Sequence, residues 1–278
     1  MSSEPKYDFK NAKPHPYHLV NPSPWPLLAS LAAGLLAVGA VMYMHKVEIA
    51  GVAVGLKGVA LGLLAVLGVM YGWWKDVIHE AVVEKAHTPI AKIGMRYGMA
   101  LFIASEVMFF VAFFWAFFAS SLFPSDVIGG VWPPATVEKI DTFHLPLFMT
   151  LLLLLSGCTV TWAHHAILEG DNKGAVKGLL YSVILGVIFT IVQFYEYAHA
   201  GFGFKDGIYS STFYMATGFH GFHVIVGTIF LSVCLFRAMK GHFTKDDHFG
   251  FEAAAWYWHF VDVVWLFLFV SVYWWGNA

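Results

Sequence analysis

Glu106 is the residue best placed to do chemistry, because it is the only formally charged side chain between Tyr97 and Phe123. A helix over this apolar stretch is roughly 40 Å long, enough to cross a bilayer with some tilt. Arg96 marks one edge, so Glu106 would lie roughly 15 Å into a hydrocarbon core about 30 Å thick. An acidic group at that depth costs roughly 2.5–3.5 kcal/mol on insertion scales. We therefore expect Glu106 to be paired, protonated, hydrated by an internal cavity or used in function.

Two histidine pairs contain the residue types of a metal site, His164–His165 with Glu169 and His220 with His223. Adjacent histidines on a helix point about 100° apart, and no third ligand is fixed in register with them. The two pairs also fall in opposite halves of the membrane, whereas the histidine boxes of membrane di-iron enzymes gather on one face. We therefore expect this chain to hold no metal and no haem.

Further polar residues recur at helical spacing near the ends of apolar runs. Gln193, Glu196 and His199 are separated by three positions each, and His259 lies three positions before Asp262. Residues at this spacing share a helix face. Hydrogen bonds between such groups across membrane helices contribute roughly 0.6–2 kcal/mol each. The pattern predicts that the third, fifth, sixth and seventh spans pack around a buried polar seam.

The elements that position these residues follow from composition and hydropathy. With 59% hydrophobic and only 12% charged residues among 278, the chain has the composition of a membrane protein with several spans. A formal charge of −2, with no basic arm and no glycine-rich phosphate loop, gives no sign of nucleic-acid binding. Seven apolar runs are long enough to span a bilayer, which predicts an all-α integral membrane fold of seven transmembrane helices. The runs are Trp25–Met44, Gly51–Trp74, Met95–Phe123, Phe143–Ala163, Gly174–Ala198, Phe213–Arg237 and Phe249–Trp275.

The spans and their connections predict four segments. These are residues 1–24 as an extended N-terminal segment, 25–74 as a two-helix hairpin, 75–94 as a linker helix and 95–278 as a five-helix bundle. The prolines of the first segment exclude a regular helix there, and Pro89 is expected to halt the linker helix. Small residues on one face of the second span allow another backbone to approach closely. They are Gly51, Gly55, Gly58 and Gly62.

The basic residues predict the orientation of the chain. Of the 16 Lys and Arg residues, twelve fall on the side that carries the N-terminus and four on the other. The positive-inside rule therefore predicts a cytoplasmic N-terminus and, with seven spans, a C-terminus on the opposite side.

Three classes of function fit these features to different degrees. A redox or metal enzyme lacks a complete set of ligands. A proton or ion transporter could use Glu106 in a relay with Glu196, Glu252 and Asp262, although no inverted repeat supports it. A non-catalytic subunit of a larger membrane complex fits a polar seam that satisfies itself. The residues alone place the third class only slightly ahead.

Several strings resemble those of one family. They are SEVMFF, WAHHAILEGD, STFYMATGFHGFHVIVGT and HFGFEAAAWYWHFVDVVWLFLFVSVYWWG, with HLVNPSPWP and WWKDVIHEA near the N-terminus. Over almost its whole length the chain resembles cytochrome c oxidase subunit III, with its closest likeness to bacterial enzymes of the mitochondrial type. The resemblance implies that helices 1–2 diverge from helices 3–7 and leave a V-shaped cleft that binds phospholipid.

The resemblance also implies the function. Family members lie beside the large catalytic subunit I and subunit II of the oxidase, which carry haem A and copper, and bind no redox centre themselves. They sustain proton uptake into the large subunit while the complex reduces O2 with electrons from cytochrome c and pumps protons. A bacterial plasma membrane, with the C-terminus in the periplasm, is the expected location.

Individual positions can be carried over from the family. Glu106 matches the carboxyl that reacts with carbodiimide in family members, and Trp74, Glu80 and Arg237 match positions that line the lipid cleft. This chain departs from the family at two further cleft positions. His79 stands where many relatives have arginine, and Asp247 stands where others have a second histidine. Both departures weaken pairing with a phosphate, because a neutral imidazole is a poorer phosphate partner than guanidinium.

His15 and His18 precede the first span in an exposed, proline-rich segment. Imidazoles exchange protons near neutral pH. The two residues are therefore either solvated surface histidines or a proton antenna.

Overall fold

A computed structural model of the chain describes residues 17–49, 52–135 and 137–277. Within these ranges, seven helices are long and apolar enough to cross a membrane, which confirms the predicted fold class. The helices are α1 (Trp25–Met44), α2 (Gly55–His79), α3 (Pro89–Leu122), α4 (Leu145–Glu169), α5 (Asn172–His199), α6 (Ile208–Met239) and α7 (Phe249–Leu268). Wider π-helical turns extend two of them, at Glu80–Glu84 after α2 and at Phe269–Trp274 after α7.

The contacts divide the chain into two compact units, Met1–Gly94 and Met95–Ala278. In the first unit, α1 and α2 are antiparallel neighbours joined by a minimal hairpin of two strands, β1 (Glu48–Ile49) and β2 (Val52–Ala53). The finer division of this unit into a hairpin and a linker helix stays a prediction.

Glycines allow α1 and α2 to pack closely. A Cβ on Gly39 would lie 2.7 Å from the carbonyl carbon of Gly58, and a Cβ on Gly62 would overlap the backbone of Leu36. Gly58 and Gly62 therefore lie at the predicted close contact, which the absence of side chains makes possible. Gly55 does not lie there, since no atom is within 4 Å of its Cβ position, and its φ of +46° serves the start of α2 instead. Gly51 falls outside the described residues.

Turn chemistry sets where the helices end. The π-helical turn after α2 stops at Lys85, which has a φ of 50°. Thr88 then caps α3 by accepting a hydrogen bond from the Ala91 amide at 3.2 Å, and Pro89 is the first helical residue. Pro89 therefore does not halt the linker helix as predicted, because the helical extension of α2 ends at Glu84 and Pro89 begins the next helix.

In the second unit, α7 is the central helix, because 67% of its most apolar window is buried. Two of its tryptophans donate hydrogen bonds to hydroxyls of α4, Trp258 to Ser156 and Trp265 to Thr150, both at 2.8 Å. The predicted polar seam therefore includes α4, which the sequence analysis left out. Gly186 of α5 makes room for the Trp258 ring, since a Cβ there would lie 2.8 Å from it.

Candidate functional site

Glu106 of α3 is paired with a histidine of α6. Its Oε2 lies 2.8 Å from Nε2 of His223, whose side chain is only 3% exposed. The other ring nitrogen, Nδ1, lies 2.8 Å from the carbonyl oxygen of Phe219. A carbonyl only accepts, so Nδ1 carries a hydrogen and donates it. The short contact at Nε2 therefore contains one proton, held by either the carboxyl or the imidazole.

Aromatic rings surround this pair. The ring centroids of Phe219 and Phe110 lie 4.5 and 5.1 Å from that of His223, and Tyr257 stacks on it at 6.1 Å. Among the described residues, no further side chain forms a hydrogen bond to either member of the pair. The arrangement satisfies a membrane-embedded carboxyl, and it does not extend into a polar chain of the kind that relays protons.

A second acidic residue, Glu252 of α7, binds Arg96 of α3 through two hydrogen bonds of 2.7 and 2.9 Å. This fork-to-fork geometry is the strongest that a guanidinium and a carboxylate can form. His248 lies beside the pair, with Nε2 3.3 Å from Oε1 of Glu252. His164 of α4 completes a group whose ligand atoms lie within 4.8 Å of one another. Sequence reasoning missed this group because its members are joined only by the packing of three helices.

The third polar group joins the C-terminal end of α5 to the π-helical turn that follows α7. Gln193 donates to Glu196 at 2.9 Å, and the Tyr273 hydroxyl donates to the same carboxylate oxygen at 2.7 Å. Gln193 and Glu196 are buried together as the spacing predicted. His199 does not join them, because it is exposed and its Nδ1 bonds the Tyr195 carbonyl at 2.9 Å.

Of the two remaining pairs, only that of His220 and His223 separates in the structure. His220 bonds the carbonyl oxygen of Val261 at 3.1 Å through Nε2, whereas His223 faces Glu106. These two histidines therefore do not converge on one point. His259 and Asp262 do share a face, with Nδ1 3.5 Å from the carboxylate.

The expected lipid-binding positions of the first unit cluster where α2 ends. Trp74 is 61% exposed. His79 lies 3.4 Å from Glu84, and Glu80 lies 4.0 Å from His87. The role of these positions in lipid binding stays a prediction.

The expected positions of the second unit lie at the end of α6. The Arg237 guanidinium is 4.6 Å from the ring centroid of Phe243, a cation–π contact. Its Nε is buried and has no hydrogen-bond partner in the described part of the chain. Asp247 sits in the loop before α7, where its backbone exchanges hydrogen bonds with Thr244.

The proposed antenna residues are only partly described. His15 lies outside the described residues. His18 was expected to be exposed, but it is half-buried, with its ring centroid 5.7 Å from that of His87. The reason is that the N-terminal segment packs against the residues that follow α2.

Comparison with known proteins decides the family. The family model for cytochrome c oxidase subunit III matches residues 15–277. This chain belongs to the cytochrome c oxidase subunit III family. It is 58% identical to cytochrome c oxidase subunit 3 of Prototheca wickerhamii over 264 residues, which cover 95% of this chain and 99% of the relative. It is 57% identical to the Arabidopsis thaliana protein and 54% identical to the Dugong dugon protein of the same name, each over 263 residues and 95% of this chain.

The resemblance stated from the sequence strings is thereby confirmed. Members of the cytochrome c oxidase subunit III family are subunits of an oxidoreductase complex, the terminal respiratory oxidase.

Proposed function

We propose that this chain is a subunit of cytochrome c oxidase that carries no redox centre of its own and supports the subunits that do. The observation that carries this function is the family match over residues 15–277. Haem A and copper would lie in partner subunits I and II. The alternative, ion transport through Glu106, is less well supported, because that carboxyl ends in a pair with His223 among aromatic rings.

Co-purification tests this function. The tagged chain is isolated in a mild detergent, and the eluate is analysed by redox difference spectroscopy and by copper determination. We expect the purified complex to contain haem A and copper. When this chain is dissociated from the complex, the isolated chain should contain neither. If the purified complex contained neither haem A nor copper, ion transport would become the better-supported function.

We also propose that Arg237 and Trp74 each help to retain phospholipid. The two residues need not bind the same lipid molecule. The buried Nε of Arg237 has no protein partner among the described residues, and a phosphate oxygen would supply one. Trp74 is exposed next to Lys75 and Asp76, where an indole suits the headgroup region. Glu80 lies on the following turn, where it could meet the amine of a headgroup. The V-shaped cleft that the resemblance implies stays a prediction.

Lipid analysis tests this proposal. Trp74→Ala combined with Arg237→Ala should lower the phospholipid content of the purified oxidase and speed its inactivation during turnover. Lys240→Ala is the matched control, since Lys240 is an exposed cation three residues beyond Arg237. An unchanged lipid content in the double variant would contradict the proposal.

The proton antenna formed by His15 and His18 is a separate proposal. Two imidazoles near the N-terminus can collect protons and pass them on near neutral pH. Replacing both with alanine should slow proton uptake at alkaline pH, measured as flow-flash proton consumption by the reconstituted oxidase. Equal rates of proton uptake in the variant and the wild type would contradict the antenna proposal.

We further propose a bacterial plasma membrane with the N-terminus cytoplasmic and the C-terminus periplasmic. The distribution of Lys and Arg supports the orientation, and the resemblance to bacterial enzymes supports the membrane. Labelling of single cysteines at either end with an impermeant reagent on intact cells tests the orientation: only the C-terminal site should react.

A further inference from the structure

The end of α4 and the start of α7 together present two imidazoles and one carboxylate. His164 lies in the last two turns of α4, His248 directly precedes α7, and Glu252 lies in the first turn of α7. One ligand atom from each lies within 4.8 Å of the other two. Two histidines and one glutamate form the protein ligand set of several zinc sites, in which a fourth position stays open to water.

The hydrogen bonding of His248 fixes which nitrogen faces the group. Its Nδ1 lies 2.9 Å from the carbonyl oxygen of Thr244, so this nitrogen carries the hydrogen. In the neutral ring Nε2 then bears a lone pair and faces Oε1 of Glu252 at 3.3 Å. Two acceptors at this distance require a positive species between them, either a proton or a metal ion. A carbonyl that orients the far nitrogen is also the usual support of a metal-bound histidine.

The distances suit a small divalent ion. Tetrahedral ligands at about 2.0–2.1 Å from zinc lie about 3.4 Å from one another, close to the 3.3 Å between His248 and Glu252. His164 packs its ring against those of His248 and Phe251, each with centroids 5.4 Å apart. Across the described ranges its ring nitrogens form no hydrogen bond, and its side chain is half-buried, so a rotation can bring it to an ion that enters from the surface.

Arg96 is the competing cation at this group. It donates to both oxygens of Glu252, yet a carboxylate offers about four lone-pair positions. A metal ion can therefore bind Oε1 while Arg96 keeps Oε2, at the cost of repulsion between the two positive charges. This predicts a site whose affinity Arg96 weakens.

We propose that His164, His248 and Glu252 form a binding site for a divalent transition ion of the zinc class. The ion is held at the end of the bundle where α4 ends and α7 begins, and water completes its coordination. Arg96 tunes its affinity from the side opposite the imidazoles.

Zinc binding by the intact oxidase tests the proposal. Each complex is washed with a chelator and titrated with Zn²⁺. The amount of bound zinc and its affinity are compared between each variant and the wild type. His164→Ala and His248→Gln should each weaken one site by about tenfold or more. His165→Ala is the matched control, because His165 is an exposed neighbour on α4, and it should leave the titration unchanged.

Arg96→Gln separates a metal site from a purely structural cluster. It removes the competing charge and should tighten zinc binding by about tenfold or more, whereas damage to the fold would weaken it. X-ray absorption at the zinc edge should show nitrogen and oxygen neighbours at about 2.0–2.1 Å. Equal zinc affinity in the wild type, His164→Ala and His248→Gln would overturn the proposal and leave a proton between His248 and Glu252. Should His164→Ala fail to assemble, His164→Gln serves in its place.

Discussion

Oε2 of Glu106 lies 2.8 Å from Nε2 of His223, although 117 positions separate the two residues in the chain. The far nitrogen of the imidazole donates to the Phe219 carbonyl. The pair therefore shares one proton inside a shell of aromatic rings, which explains how a carboxyl is tolerated within a span.

We predict that Glu106→Gln leaves proton pumping intact. The amide of glutamine can donate a hydrogen bond to Nε2 of His223 in place of the shared proton, and no hydrogen-bonded chain leads onward from the pair in the described structure. Reconstituted vesicles report pumping as the number of protons released per electron. Loss of pumping in an assembled complex would contradict a structural role for Glu106.

The apolar variant Glu106→Leu is the counterpart of this test. It leaves Nε2 of His223 buried without a partner, which costs about 1–3 kcal/mol. We therefore expect a lower thermal stability for Glu106→Leu than for Glu106→Gln. The difference is measured by the melting temperature of the purified complex, and equal melting temperatures would show that the pair contributes nothing.

We predict that Ser156→Ala destabilises the second unit by about 1–3 kcal/mol, because it leaves the Nε1 of fully buried Trp258 without an acceptor. The double variant Ser156→Ala with Trp258→Phe should recover part of that loss, since both polar groups are then absent. Ser105→Ala is the control, as this serine is exposed and bonds only its own helix. Denaturation monitored by tryptophan fluorescence measures the three variants. If Ser105→Ala were as harmful as Ser156→Ala, the hydrogen bond would not be the cause.

We predict that Gly39→Ala disrupts the contact between α1 and α2. A Cβ at this position meets the rigid backbone of Gly58 at 2.7 Å, and overpacking of this kind costs about 1–3 kcal/mol. Gly34→Ala, in the same helix, has open space within 4 Å and should be neutral or slightly stabilising. Limited proteolysis of the first unit compares the two variants. Similar protease resistance in both would show that the close glycine contact is unimportant.

Local features of the chain determined the helices and the family. The length and hydropathy of each apolar run are properties of contiguous residues, so α1 was predicted with the ends that the structure shows, Trp25 and Met44. The strings around Glu106 and His223 were sufficient to place the chain in its family. Spacing on a single helix also predicted correctly that Gln193 and Glu196 are buried together.

Only the tertiary structure decided which polar groups meet. Glu106 with His223, Arg96 with Glu252, and Ser156 with Trp258 each join helices more than 100 positions apart in the chain. The rotation and vertical register of one membrane helix against another depend on the summed packing of many side chains, such as Trp258 against Gly186. That information is not local, so the sequence alone identified Glu106 as a residue in need of a partner, and the packing of α3 against α6 supplied His223.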